Sequence, residues 1–185
     1  YDLYCYLEDD LVIHDPLLLH KILWFNKELG DDKLVLPHRV EFLNYPNFVQ
    51  KLYIDGPLDD NILKDLIPNP PQPLLAGTAA GRIKYESPLN PHSGCFFLTN
   101  SQLDYWQKQP SWQDGDITYV SPLESAATLG IAKNFILYKP TYPYAGWMEI
   151  QHWGGSFICQ IRPPKLTNPE EEEVSKENKN KKKDI

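Results

Sequence analysis

The residues with the plainest chemical potential stand near the start of the chain. Glu8, Asp9 and Asp10 follow an apolar run over residues 3–7 and precede another over 11–13. Three adjacent carboxylates repel one another and resist burial, so a core strand that ends on them calls for a compensating charge. In an extended stretch side chains alternate, which puts Glu8 and Asp10 on one side and Asp9 on the other. Two carboxylates on one side form a hard-oxygen half-shell, suited to Mg²⁺ or Mn²⁺ held jointly with substrate phosphates. The alternative is a solvated turn. Such turns favour Gly or Asn over three acids.

Three further stretches carry candidate groups. In IQHWGGSF, His152 precedes Trp153, Gly154 and Gly155. A neutral imidazole suits Mn²⁺ better than Mg²⁺, and the glycines let backbone approach diphosphate oxygens. The alternative is a histidine at a strand end before a glycine turn. In NPHSGCFFLTN, His92, Ser93 and Gly94 stand at the mouth of a strand-like run. That segment also reads as a turn feeding a core strand, with His92 at the surface. In WQDGDITYVSPLESAATLG, Asp114, Asp116 and Glu124 add three carboxylates. Ser121-Pro122-Leu123-Glu124 has the form of a capping box, and Asp114-Gly115 is an ordinary turn pair. His14, His20 and His38 read as structural or exposed. Aromatic rings such as Trp106, Trp112, Tyr142, Tyr144, Trp147 and Trp153 crowd the second half. Most suit a core, while those in the loop over 140–147 could stack on a sugar.

The elements that must position these groups follow from pattern. Residues 3–7 predict a central strand buried on both faces. Asp15 as cap, Pro16 at the first helical position and Gly30 at the end frame a helix over 16–29. Strands are predicted at 33–36, 48–54, 94–98, 117–120, 135–139 and 148–152. Short helices are predicted at 61–67 and 101–107, and another from Pro122 to about Leu129, stopping at Gly130. The proline-rich stretch 68–73 is an extended crossing. This alternation predicts an α/β layered fold, with ligands at the carboxyl ends of strands. Residues 1–165 read as one domain. Residues 166–185, with blocks of like charge and no aromatic ring, read as a disordered tail.

Composition narrows the classes. The 185 residues suit one domain with a real core. A net charge of −7, with no basic patch in the body, argues against nucleic-acid binding. No stretch is apolar enough to span a membrane. Cys5, Cys95 and Cys159 are odd in number and unclustered. They predict reduced, buried thiols and a cytoplasmic setting. The chain opens on Tyr1 and its one methionine is Met148, which predicts that the natural protein continues upstream.

An apolar strand closing on an Asp-x-Asp-like triplet, here Tyr6-Leu7-Glu8-Asp9-Asp10, resembles the metal motif of GT-A glycosyltransferases. The resemblance covers roughly residues 1–162. It implies a mixed, Rossmann-like sheet flanked by helices, incomplete because the nucleotide-binding half that normally precedes the motif is missing. It implies a bacterial-type enzyme that moves a sugar from a nucleotide-diphosphate donor to a hydroxyl of a glycan or other acceptor. The cofactor implied is Mn²⁺ or Mg²⁺, on Asp10 and a late histidine, His152, with Glu8 at the first acidic position and Asp9 in the middle. Having Glu first is a departure from the usual pattern. Asp9, His92, Ser93, Gly94, Trp153 and Gly154 would lie along donor and acceptor. Glu124 is the implied general base, with Asp116 and Asp114 in reserve. Two other classes fit the same residues. One is a metal-dependent phosphoester hydrolase using these acids. The other is a non-catalytic carbohydrate-binding domain, with aromatic platforms and a Ca²⁺ on the acids.

Overall fold

The structure, a computed structural model, describes residues 2–78 and 81–161. Among them, strands β1 (Tyr4–Leu7) and β2 (Leu11–Val12) lead into helix α1 (Leu18–Leu29). Strands β3 (Lys33–Val35), β4 (His38–Tyr45) and β5 (Phe48–Tyr53) follow, then helix α2 (Asp60–Leu66). Next come β6 (Leu74–Thr78), β7 (Gly81–Glu86), β8 (Cys95–Leu98), α3 (Asn100–Trp106) and α4 (Pro122–Asn134). Strands β9 (Ile136–Pro140) and β10 (Glu149–His152) complete the set, with 3₁₀ turns at Tyr142–Trp147 and Ile158–Gln160. The chain is a mixed α/β fold.

Two four-stranded sheets, ordered β2-β10-β4-β5 and β3-β9-β7-β6, accompany a β1-β8 pair. The pairs β10/β4 and β3/β9 are parallel, and the other ladders are antiparallel. Period-2 alternation explains how the core is divided. Val35, Phe97 and Tyr138 join one apolar cluster, together with Leu18, Ile22 and Phe25 from one face of α1. Their neighbours Leu34, Phe96, Leu98 and Leu137 join a second cluster, with Ile131 of α4 and Leu103 and Trp106 of α3 packed there. Strands β3, β8 and β9 therefore form a layer between two cores.

Several expectations change. β1 is no central strand: among the described residues it pairs only with β8, and Tyr4 is 38% and Leu7 41% exposed. Residues 117–120 form no strand. Asp114 and Asp116 accept from the backbone N–H two residues on, which curls the segment into turns, and Val120 takes φ +50°. α4 runs through Gly130 to Asn134 instead of stopping. Ser121 makes no side-chain cap; its hydroxyl bonds the Glu124 carboxylate instead. A full capping box occurs at Thr99 and Gln102 of α3. Cys95 is buried as expected, but Cys5 and Cys159 are exposed. Among the described residues no helix is long and apolar enough to cross a membrane. The tail expected over 166–185 lies outside the described residues.

Candidate functional site

The end of β1 sets the geometry. Glu8 N–H donates to Gly94 O at 2.9 Å, and Leu11 N–H reaches back to Glu8 O at 3.3 Å, so residues 8–11 turn instead of running on. The alternation expected of an extended stretch breaks there, and the acids part. The Glu8 carboxylate faces Arg39 Nη1 at 3.6 Å and His92 Nε2 at 3.9 Å. The Asp10 carboxylate faces His152 Nε2 at 3.2 Å. Asp9 is exposed. Gly94 is required on two counts. Its φ is +61°, and a Cβ there would sit 2.4 Å from Glu8 Oε2. Burial pushes the Glu8 carboxyl up against the pull of Arg39, with Asp10 and Glu124 adding to the rise.

His152 closes β10. The parallel register sets Ile150 beside Arg39 and Gln151 beside Val40, so His152 comes up against the next residue of β4, Glu41. Glu41 Oε1 lies 2.8 Å from His152 Nδ1, and Oε2 accepts from Phe157 N at 3.0 Å and Ile158 N at 2.6 Å. Between them Gly154 and Gly155 take φ +120° and +66°, which folds the chain back over Glu41. Trp153 N–H donates to Asp10 O at 2.7 Å, while its side chain is 65% exposed. Asp10 Oδ1 is buried without a hydrogen-bond partner.

Behind these groups lies a buried ion network. Arg39 donates from Nε and Nη2 to Asp55, at 3.1 and 2.7 Å. Lys139 Nζ sits 3.6 Å from Asp55 and donates to His92 O at 2.7 Å. Burial alone would raise Asp55, but Lys139 and then Arg39 outweigh it and hold the carboxyl below its usual range. The His92 ring is buried, with Nδ1 3.0 Å from Thr128 Oγ1. Burial, then Arg39 and Lys139, push it down to about 4, so it is neutral at pH 7. Buried Ser93 donates to Pro37 O at 2.8 Å. His92 and Ser93 are thus structural parts of the floor, unlike the surface histidine that the turn reading expected.

Glu124, in the first turn of α4, stands near Glu8 and Tyr6. Burial raises both of those groups most, and the Glu124 charge adds to each. Asp114 and Asp116 both accept from Lys133 Nζ at 2.7 Å. Lys133 lies about 13 Å further along α4 than Glu124, so these two acids are tied to the opposite end of the helix. The structure therefore gathers Glu8, Asp10, His92, Gly94 and His152, sets Glu124 within electrostatic reach of Glu8, and leaves Asp114 and Asp116 apart.

Among the described residues no three His, Cys, Asp or Glu side chains form a ready-made metal cage. Two donors suffice for a hard divalent ion that keeps water and takes substrate phosphates. Neighbouring ligands on an octahedral ion with bonds of about 2.1 Å stand about 3 Å apart. The 3.2 Å between His152 Nε2 and Asp10 Oδ2 fits that spacing, and the unpartnered Asp10 Oδ1 is a further donor. Comparison of the chain with family models, curated proteins and solved structures finds no match.

Arg39, Glu41, Asp55, Thr128 and Lys139 escaped the reading from sequence. A signal for two of them exists in His38-Arg39-Val40-Glu41-Phe42. Opposite charges two apart in an apolar β-like run put both on one face, where they pair or meet a partner.

Proposed function

We propose that the chain is a metal-dependent glycosyltransferase of the GT-A type, moving a sugar from a nucleotide-diphosphate donor to an acceptor hydroxyl. The observation that carries the reading is the Asp10–His152 pair at the turn after β1. Its donors stand 3.2 Å apart, with one Asp10 oxygen buried and unpartnered. Asp10 and His152 would hold Mn²⁺ or Mg²⁺, with Glu8 beside them. Such an ion, when bound, neutralises charge growing on a leaving diphosphate. Gly154 leaves open backbone for diphosphate oxygens to approach, and the exposed Trp153 offers a face to a sugar or base. Glu124 takes the proton from the acceptor hydroxyl as it attacks the sugar carbon. The neutral His92 and Ser93 shape the floor. The mixed α/β fold is compatible with an incomplete GT-A sheet.

Titration of Mn²⁺ followed by electron paramagnetic resonance tests the reading. The wild-type chain binds the ion, and Asp10→Asn weakens binding by at least about tenfold. A wild-type chain that ignores Mn²⁺, or an Asp10→Asn variant that binds as well, refutes it. Turnover assays separate the classes. Sugar transfer from a nucleotide sugar supports the proposal. Phosphodiester cleavage without a sugar donor points to a hydrolase, and Ca²⁺-dependent glycan binding without turnover to a binding domain.

A further inference from the structure

Glu41 is a carboxylate of β4 with no exposed surface, set between Val40 and Phe42. A buried carboxylate is tolerated only when its lone pairs are filled. Two of its partners are backbone N–H groups, of Phe157 and Ile158, which can only donate. Ser156 Oγ lies 3.5 Å from Oε1. An ionised carboxylate accepts at both oxygens, and His152 Nδ1, 2.8 Å from Oε1, is then the donor. In a ring that carries a single proton, Nε2 turns its lone pair to Asp10 Oδ2 at 3.2 Å, two acceptors face to face. A positive charge there, either a second ring proton or a bound cation, makes that arrangement favourable, and the experiment below separates the two. A carboxylate behind a metal-bound imidazole also strengthens the ring as a ligand.

We infer that Glu41 is a positioning residue for the site. It keeps the His152 proton on Nδ1, presents Nε2 beside Asp10, and anchors the Gly154–Gly155 turn against the ring. The inference rests on the metal-dependent reading above and deepens it. Glu41 touches neither ion nor substrate; it acts through His152, 111 residues away in sequence and brought abreast by the parallel β4/β10 pairing.

The test is a double-mutant cycle read by Mn²⁺ affinity, in wild type, Glu41→Gln, His152→Gln and the double variant. Glutamine can still accept from the turn, but its amide can donate to Nδ1 and move the ring proton to Nε2. Glu41→Gln is expected to weaken Mn²⁺ binding about 10- to 100-fold. On the His152→Gln background the same change is expected to add nothing. Full additivity overturns the inference, because Glu41 would then act on the site by another route. A second measurement needs no substitution at Glu41. A two-bond ¹H–¹⁵N spectrum of the wild-type imidazoles at pH 8, with His152 assigned from the His152→Gln spectrum, reports the ring proton directly. A proton on Nδ1 alone is expected, and one on Nε2 overturns the inference. Failure of the wild type to bind Mn²⁺ removes the metal-dependent reading and this inference with it. Binding that survives Glu41→Gln unchanged removes only the role of Glu41.

Discussion

At the scale of single residues, the floor of the site is held by groups whose protonation is set by burial. His92 is the clearest. Its imidazole titrates at 6.5 in an unfolded chain and at about 4 in the fold. Below pH 6.5 the unfolded chain takes up a proton that the folded chain refuses until about pH 4. Stability is therefore full above pH 6.5 and falls as pH drops to 4, by about 3 kcal/mol from this group. Urea unfolding at pH 7 and pH 4 is expected to show that loss in the wild type and a smaller one in His92→Gln. His38 shifts the same way on burial, so the share of His92 is the difference between the two proteins. Gly94 is the second test. Ala there meets a left-handed φ of +61° and the Glu8 carboxylate at 2.4 Å. Gly94→Ala is expected to lose about 2 kcal/mol in urea unfolding, and Asp9→Ala, at an exposed position, almost nothing. At this scale the sequence pointed to Asp10 and His152, which the fold sets 3.2 Å apart, and to Gly94, which lies against Glu8. It could not tell that Glu8 would turn to Arg39, because one hydrogen-bonded turn at residues 8–11 undoes the alternation of a strand.

At the scale of elements, local signals worked where local physics decides. Gly30 ends α1 as expected, but the helix starts at Leu18, two residues past the expected Pro16: Leu17 is its N-cap with no side-chain bond, and Asp15 accepts from Leu17 N ahead of it. α4 shows where they stop working. Gly130 looks like a helix end, yet the helix continues through it, and the reason lies on another element. A Cβ at Gly130 would stand 2.1 Å from Trp106 Cζ2, so the glycine admits the indole of α3. Helix propensity alone would make Gly130→Ala stabilising by about 1 kcal/mol. The collision is expected to reverse the sign and leave the variant about 1–3 kcal/mol less stable, read as a lower Tm. With Trp106→Leu in the background the ring is gone, and the same change is expected to raise Tm. The missed strands have a related cause. β4 follows Pro37 and carries Arg39 and Glu41, residues that lower a strand assignment until their buried partners are known.

At the scale of the whole molecule, the alternation of helix and strand was enough for a mixed α/β fold but not for its topology. The parallel pairing of β4 with β10 joins segments that no local pattern connects, and it is that pairing which assembles Glu41, His152 and Asp10. The same two-sheet layout depends on one buried acid. Asp55, just past β5, accepts from Arg39 of β4 in the first sheet and lies 3.6 Å from Lys139 of β9 in the second. Both cations are nearly buried, and burial is what pushes Lys139 down while Asp55 is held ionised between the two. Removing one member of such a network strands the others without water or a counter-charge. Asp55→Asn leaves Arg39 with Glu8 at 3.6 Å and Lys139 with only the His92 carbonyl among the partners described above. It is expected to lose about 3–5 kcal/mol in urea unfolding at pH 7. The acid side gives an independent check. The Asp55 carboxyl is depressed in the fold, so its contribution is present above the unfolded value of 3.8 and disappears as pH falls through the lower folded value. Wild type and Asp55→Asn are therefore expected to converge in stability as pH falls below 3.8. A gap that stays constant down to pH 2 would mean that Asp55 holds the two sheets by shape and hydrogen bonding and not by its charge.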